Sequence, residues 1–262
     1  MKSNSSNNLK FRYENHPSPD ARAFYKHIHN EYELLYFMQG DADYIIGSFT
    51  YHLKRHDMLL IKPATYHYLK LRSAAQYERI VIHFPPEALE GNLRDEAAQL
   101  KDIYQIHKDS FIYNIFQNMI HLHKIYSNED FTIFTKNALH MILTELKYYK
   151  HDSVKNPEPF HPMFRSIMEY IDDHICEKLS IDILSSQFFV SPSWIVHAFN
   201  KYLGISVMQY VNNKKILYCQ ELIRTGVTPT KAAEMCAFNN YSTFYRQYKR
   251  FIGTAPKTDK NP

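Results

Sequence analysis

The chain states one pattern twice. HAFNKYLGIS (197–206) and RQYKRFIGTA (246–255) lie 49 residues apart. In each copy an aromatic (Phe199, Tyr248) is followed by polar or basic residues, then an aromatic–aliphatic pair (Tyr202-Leu203, Phe251-Ile252), then a glycine (Gly204, Gly253). An amphipathic helix stopped by a left-handed glycine has this form. The tail of the chain therefore reads as two similar helical units.

The flanking residues punctuate those units. FRSIMEYIDDHI carries apolar residues at helical intervals. Ser180 caps IDILSSQFF, and Asp182 suits its first turn. Ser191-Pro192 is a cap followed by an N1 proline, opening SWIVHAFNKYL, which Gly204 stops. Ser206 opens VMQYVNNKKILYCQELIRT, which Gly226 ends. Thr228-Pro229 opens TKAAEMC, and Asn239-Asn240 precedes YSTFYRQYKRFI. Each half is thus a short helix, a tight turn and a second helix with a polar, partly basic face. That is the helix-turn-helix layout, whose second helix enters the major groove of DNA. The ~19-residue connector spans about 28 Å. Successive major grooves on one face of B-DNA are ~34 Å apart. One chain of this build can address two adjacent grooves.

These residues resemble the AraC/XylS family of bacterial transcription regulators. The resemblance covers Phe164 to Asp259 and runs through LSIDILSSQFFVSPSWIVHAFNKYLGIS, YVNNKKILYCQELI and KAAEMCAFNNYSTFYRQYKRFIGTAP. It has departures. The usual Gly-Phe before the second recognition helix is Ala237-Phe238, the usual alanine of the first helix is Ser185, the usual connector arginine is Lys215, and Thr258-Asp259 replaces Tyr-Arg. The resemblance implies that Ser193, Val196 and His197 face bases from the first recognition helix, and Tyr241, Ser242, Tyr245 and Arg246 from the second. Asn200, Lys201, Lys249 and Arg250 are then phosphate or rim contacts, with Arg246 the bidentate reader of a guanine. Ile195, Phe199, Phe244, Tyr248 and Phe251 read as core, and Trp194 as core or DNA contact.

Charge agrees with a polyanion partner. The net charge is +4, and 160–262 holds twelve Lys/Arg against eight Asp/Glu, so the whole excess lies in this half. Three cysteines (Cys176, Cys219, Cys236) without CxxC spacing read as reduced and buried, with a cytoplasmic setting. No apolar run is long enough to span a membrane, and MKSNSSNNLK lacks the apolar core of a secretory signal.

The N-terminal half has a different grammar. ELLYFMQ, DYIIGSFTYHL, DMLLIKP, YHYLKLR and YERIVIHF read as short strands, with Gly47-Ser48 as a hairpin turn. Many short strands at this spacing predict a small barrel or sandwich. LRDEAAQLKDIYQIH, FIYNIFQNMIHLHKIY and NEDFTIFTKNALHMILTELKYY read as helices. The last carries a stripe of Phe131, Phe134, Ala138, Met141, Ile142, Glu145, Leu146 and Tyr149, for core packing or a dimer seam. HDSVKNPEPFHP reads as a linker. The expected fold class is α+β: a disordered tail (1–10), a cupin-like effector-binding and dimerisation barrel with C-terminal helices (11–150), a linker (151–162) and an all-α double helix-turn-helix domain (163–262).

KHIHNEYELLYFMQG holds His27-x-His29-x3-Glu33-x6-Gly40, which resembles the first motif of the cupin superfamily. RHDMLLIKPATYH, with Pro63 and His67, resembles the second, although His56 stands where a glycine is usual. In metal cupins two His, one Glu and a further His converge in the barrel, so His27, His29, Glu33 and His67 are the alternative metal set. The resemblance to the regulators favours pocket lining instead, with no metal and no cofactor. Arg22, Tyr36, Tyr66 and His83 join that lining. The tyrosines suit a sugar-type ligand, or equally a sheet core. The leading expectation is a homodimeric, effector-responsive regulator that binds double-stranded DNA, with RNA polymerase as a further partner and no catalytic residues. A metal-dependent cupin enzyme with a DNA-binding appendage and an effector-independent DNA-binding protein are the alternatives.

Overall fold

The structure, a computed structural model, describes residues 9–17, 19, 26–149 and 157–259. The chain divides into two compact units, Met1–Glu158 and Pro159–Pro262. The division falls inside the stretch read as a linker, of which 151–156 lie outside the described residues.

In the first unit β1 (Lys10–His16), β7 (Tyr77–Phe84), β2 (Tyr32–Gln39), β5 (Asp57–Ile61) and β8 (Ile103–Gln105) form an antiparallel sheet in that order. A second sheet pairs β3 (Ala42–Ile46) with β4 (Phe49–His52) and β6 (His67–Leu71), also antiparallel. Gly47 turns the β3–β4 hairpin at φ +57°, a conformation without steric cost only for glycine.

Period-2 alternation divides β2 between two cores. Leu35 and Phe37 join Tyr44, Ile46, Leu59, Ile61, Leu69, Tyr77 and Val81 in the interior between the sheets. Tyr32, Leu34 and Tyr36 point the other way, onto Ile112, Phe116, Met119, Leu139 and Ile142 of the covering helices. Those helices are α1 (Leu93–Gln99), α2 (Phe111–Leu122) and α3 (Asn128–Leu146).

Three sequence expectations need correction here. Lys10, assigned to the tail, opens β1 opposite His83. The helix expected over 93–107 stops at Gln99, and Ile103–Gln105 instead fills the open edge of β5. The buried face of α3 is Thr135, Ala138, Leu139, Ile142, Leu143 and Leu146, while Met141 is exposed. Ala138, Ile142 and Leu146 of the expected stripe lie on that face, whereas Phe131 and Phe134 in the first turns are only partly buried.

The second unit comprises α4 (Pro162–Asp173), α5 (Ile181–Phe188), α6 (Pro192–Leu203), α7 (Val207–Arg224), α8 (Pro229–Met235) and α9 (Tyr241–Ile252). The caps fall where the sequence puts them. Ser180, Ser191, Ser206, Thr228 and Asn240 each accept from the backbone N–H three residues on. Ile195, Phe199, Phe244 and Tyr248 are buried, Phe251 packs at the core edge, and Trp194 is half-buried with its ring edge-on to His161. Cys219 and Cys236 are buried, but Cys176 is exposed, against expectation: it lies beyond the end of α4 in the turn toward α5.

Ala237 sits at φ +54° in the turn before α9. A left-handed non-glycine residue costs roughly 1–2 kcal/mol, part of which glycine would return as unfolded-state entropy. Ala237→Gly is expected to raise stability by about 0.5–1 kcal/mol, read as a thermal midpoint a few degrees higher. A lower midpoint would show that the turn is not strained.

Candidate nucleic-acid interface and ligand site

Each recognition helix keeps one face dry and one wet. In α6 the buried residues are Ile195, Ala198, Phe199 and Leu203. Ser193, Val196, His197, Asn200 and Lys201 recur at three- and four-residue intervals on the opposite side, and all are exposed. In α9 only Phe244 and Tyr248 are buried. Tyr241, Ser242, Arg246, Lys249 and Arg250 are exposed and Tyr245 is half-exposed. The sequence-predicted contacts are therefore brought together on two solvent-facing stripes. The second is the more basic.

A buried lysine ties the units together. Lys215, near the middle of α7, is 6% exposed. Its Nζ donates to the Glu177 carbonyl (2.7 Å), which lies just before α5, and to the Cys236 carbonyl (2.8 Å), which ends α8. Burial pushes its ammonium below the ordinary lysine value. Both carbonyls thereby receive a charged donor, and both helix-turn-helix units are anchored to one rod. The 18-residue α7 spans about 27 Å.

In the first unit the histidines converge. His27 pairs with His67 through reciprocal backbone hydrogen bonds (3.1 and 3.0 Å), which draws the 27–29 segment against β6. Glu33 projects from β2 into the same space, directly opposite His83 in β7. Its Oε2 lies 3.3 Å from the Nε2 of His67, 3.3 Å from that of His83, 3.7 Å from that of His29 and 3.9 Å from that of His27. Its Oε1 accepts from the Tyr44 hydroxyl (2.8 Å). The Glu33 side chain is 4% exposed and that of His27 45%, so the cluster runs from the interior to solvent. Burial alone would raise the Glu33 carboxyl, but His27, His29 and His67 outweigh it and hold it well below the usual range. At the rim, Arg12 Nη2 lies 3.0 Å from His83 Nε2, and Glu31 Oε2 3.6 Å from His83 Nδ1. His83 holds the Glu31 carboxyl down at about 2.

The comparisons with known proteins match both halves. Residues 14–143 fit the model of the AraC-like ligand binding domain, and 184–261 that of a helix-turn-helix domain. The chain belongs to the AraC/XylS family of transcription regulators. It is 24% identical over 246 residues to the HTH-type transcriptional regulator YfiF of Bacillus subtilis, covering 88% of this chain and 76% of that one. It is 27% identical over 143 residues to the probable transcriptional regulator LumQ of Photobacterium leiognathi, covering 47% of this chain and 58% of LumQ. Among solved structures, ToxT of Vibrio cholerae O395 aligns over 95% of this chain and 96% of its own at 16% identity and a TM-score of 0.39. The family is one of transcription regulators that pair a ligand-binding domain with a DNA-binding domain. Among the described residues no helix is long and apolar enough to cross a membrane.

Within this family member the predicted lining is redistributed. His27, His29, Glu33, His67 and His83 come together. Tyr36 does not join them: three residues from Glu33 on one strand, it must face the opposite side. Its ring stacks on Phe116 (4.1 Å), and its hydroxyl is 2.8 Å from His56 Nδ1. Tyr66 is buried, with its carbonyl taken by the Gly47 amide. Arg22 lies outside the described residues. Sequence reasoning missed Tyr44, Arg12 and Glu31. Alternation along β3 could have found Tyr44, but β1 is too polar to read as a strand, so Arg12 gave no signal.

Proposed function

We propose that this regulator reads duplex DNA with the exposed faces of α6 and α9 and senses a small ligand at the histidine–glutamate cluster. The observation that carries the DNA half is the segregation of its polar residues. Side chains of two similar helices that face water together, opposite a fully apolar face, are free to meet base edges and phosphates. A cytoplasmic homodimer that contacts RNA polymerase belongs to the same proposal. Sedimentation at micromolar concentration tests the dimer. The sugar-type ligand has less support, since Tyr36, Tyr44, Tyr51 and Tyr77 are buried in packing.

Two substitutions in α9 separate reading from positioning. Arg246→Ala is expected to cost about 1–3 kcal/mol on the preferred site and to relax preference at one base pair. Lys249→Ala is expected to weaken all sequences alike and to lower the salt slope of binding by about one. Selection of bound sequences from random duplexes, followed by affinity measurements across salt concentrations, checks both. Identical behaviour of the two variants would overturn the assignment.

A further inference from the structure

Between the start of α7 and the end of α9 the second unit holds a recess of about 500 Å³. Ser206, Gln209, Asn212 and Asn213 line it from the α7 side, and Gln247 and Arg250 from α9. No acidic residue is among its walls. Its polar groups are unspent. Among the described residues, the side chains of Asn212, Asn213, Gln247 and Arg250 take part in no hydrogen bond or ion pair, and Gln247 Oε1 is buried in that state. Other polar side chains of α7 behave differently. Lys214 Nζ lies 2.9 Å from Asp172, the Tyr210 hydroxyl donates to the same carboxylate (3.3 Å), and Lys215 is shared between two carbonyls. Polar groups withdrawn from solvent normally find partners, so the partner of this set comes from outside the chain.

The chemistry of that partner follows from the donor set. A guanidinium and three carboxamides offer N–H donors, and a carboxamide turned over about its last bond exchanges oxygen for nitrogen. Cationic and amide donors without a competing carboxylate suit a phosphate. The place agrees. Arg250 lies one turn beyond Arg246 on α9, on the flank of the stripe exposed for DNA, and α7 begins just after α6 ends. Two helices in successive major grooves leave between them a minor groove edged by two sugar–phosphate ridges. A convex ridge fits a recess, whereas a groove needs a projecting side chain. We infer that this recess seats a phosphate of the duplex backbone between the two major grooves, held by Arg250, Asn212, Asn213 and Gln247. The connector α7 is then a third DNA contact and not only a spacer. The inference rests on the reading of α6 and α9 as the groove-reading helices, and it adds Asn212, Asn213 and Gln247 to the residues that meet DNA.

The test uses the full chain and a duplex carrying its selected site, in which the phosphates between the two half-sites are replaced one at a time by uncharged methylphosphonates. One position is expected to weaken wild-type binding by about tenfold, and positions outside the site to leave it unchanged. Asn212→Ala/Asn213→Ala, checked for folding by circular dichroism, should bind the unmodified duplex about tenfold more weakly and lose its sensitivity to that position. Asn213→Asp, nearly isosteric, should also bind more weakly, because it sets a negative charge against the phosphate. Arg250→Gln should lower the salt slope by about one, and the double variant should leave the slope unchanged. Absence of a sensitive position, or the same sensitivity in the double variant, overturns the clamp. Side-chain amide resonances of Asn212 and Asn213 should shift with duplex but not with inorganic phosphate. A shift with phosphate alone marks a free-anion site and overturns the backbone assignment. Failure of the wild type to bind any duplex at low salt defeats the groove reading itself, and the clamp with it.

Discussion

Replacing Lys215 by methionine is expected to lower the stability of the second unit by about 3 kcal/mol, a drop of more than about 10 °C in its midpoint. Methionine fills most of the lysine's volume, so the loss is one of hydrogen bonds rather than of packing. The Glu177 and Cys236 carbonyls lose their shared donor in a dry environment, and charge-assisted bonds of this kind contribute about 1.5–3 kcal/mol each. Relief from burying an ammonium offsets part of this, which keeps the figure near the lower end of the sum. Because the two carbonyls belong to different helix-turn-helix units, binding to a two-groove site should fall more steeply than binding to either half-site. Lys215→Arg should restore most of the stability, since a guanidinium offers donors to both carbonyls. A methionine variant with unchanged midpoint would show that the two hydrogen bonds contribute nothing.

Phe199→Ala is expected to cost about 3–5 kcal/mol. The ring is fully buried where three helices meet, edge-on to Phe164 of α4 (5.0 Å) and to Tyr210 of α7 (5.4 Å). Alanine leaves a cavity that rigid helices cannot close. A loss of this size takes most of a domain's net stability, so DNA binding at 37 °C should collapse. Amide hydrogen exchange should quicken across 159–259 while 26–149 keeps its protection, because the two units are separately compact. Equal loss of protection in both would contradict that independence.

Phe199 was legible in the sequence because it recurs as Tyr248, and so were the helix starts at Ser180, Ser191, Ser206 and Thr228. Caps and glycine stops are local, chemically specific signals, and they do not depend on what packs against the helix. The elements that escaped are those whose state is set from outside. Ile103–Gln105 is too short to display a period, and it becomes a strand only because β5 offers an open edge. Lys10–His16 alternates weakly because both its faces are partly wet. At the histidine–glutamate cluster, residue identity is readable in the sequence but side-chain direction is not. Tyr36 is expected to line the pocket along with Glu33, although strand geometry sets the two back to back. The contact of His67 Nδ1 with the Thr65 carbonyl, 2.8 Å away, could not be read at all.

The division of β2 has a mechanical consequence. Glu33 faces the interior of the barrel, while Tyr32 and Leu34, its immediate chain neighbours, are wedged into the helical layer on the reverse side. The wall between the two compartments is a single extended backbone, one peptide thick. Tension applied to that carboxylate is transmitted to the seat of α2 and α3 through covalent bonds, with no intervening loop to absorb it.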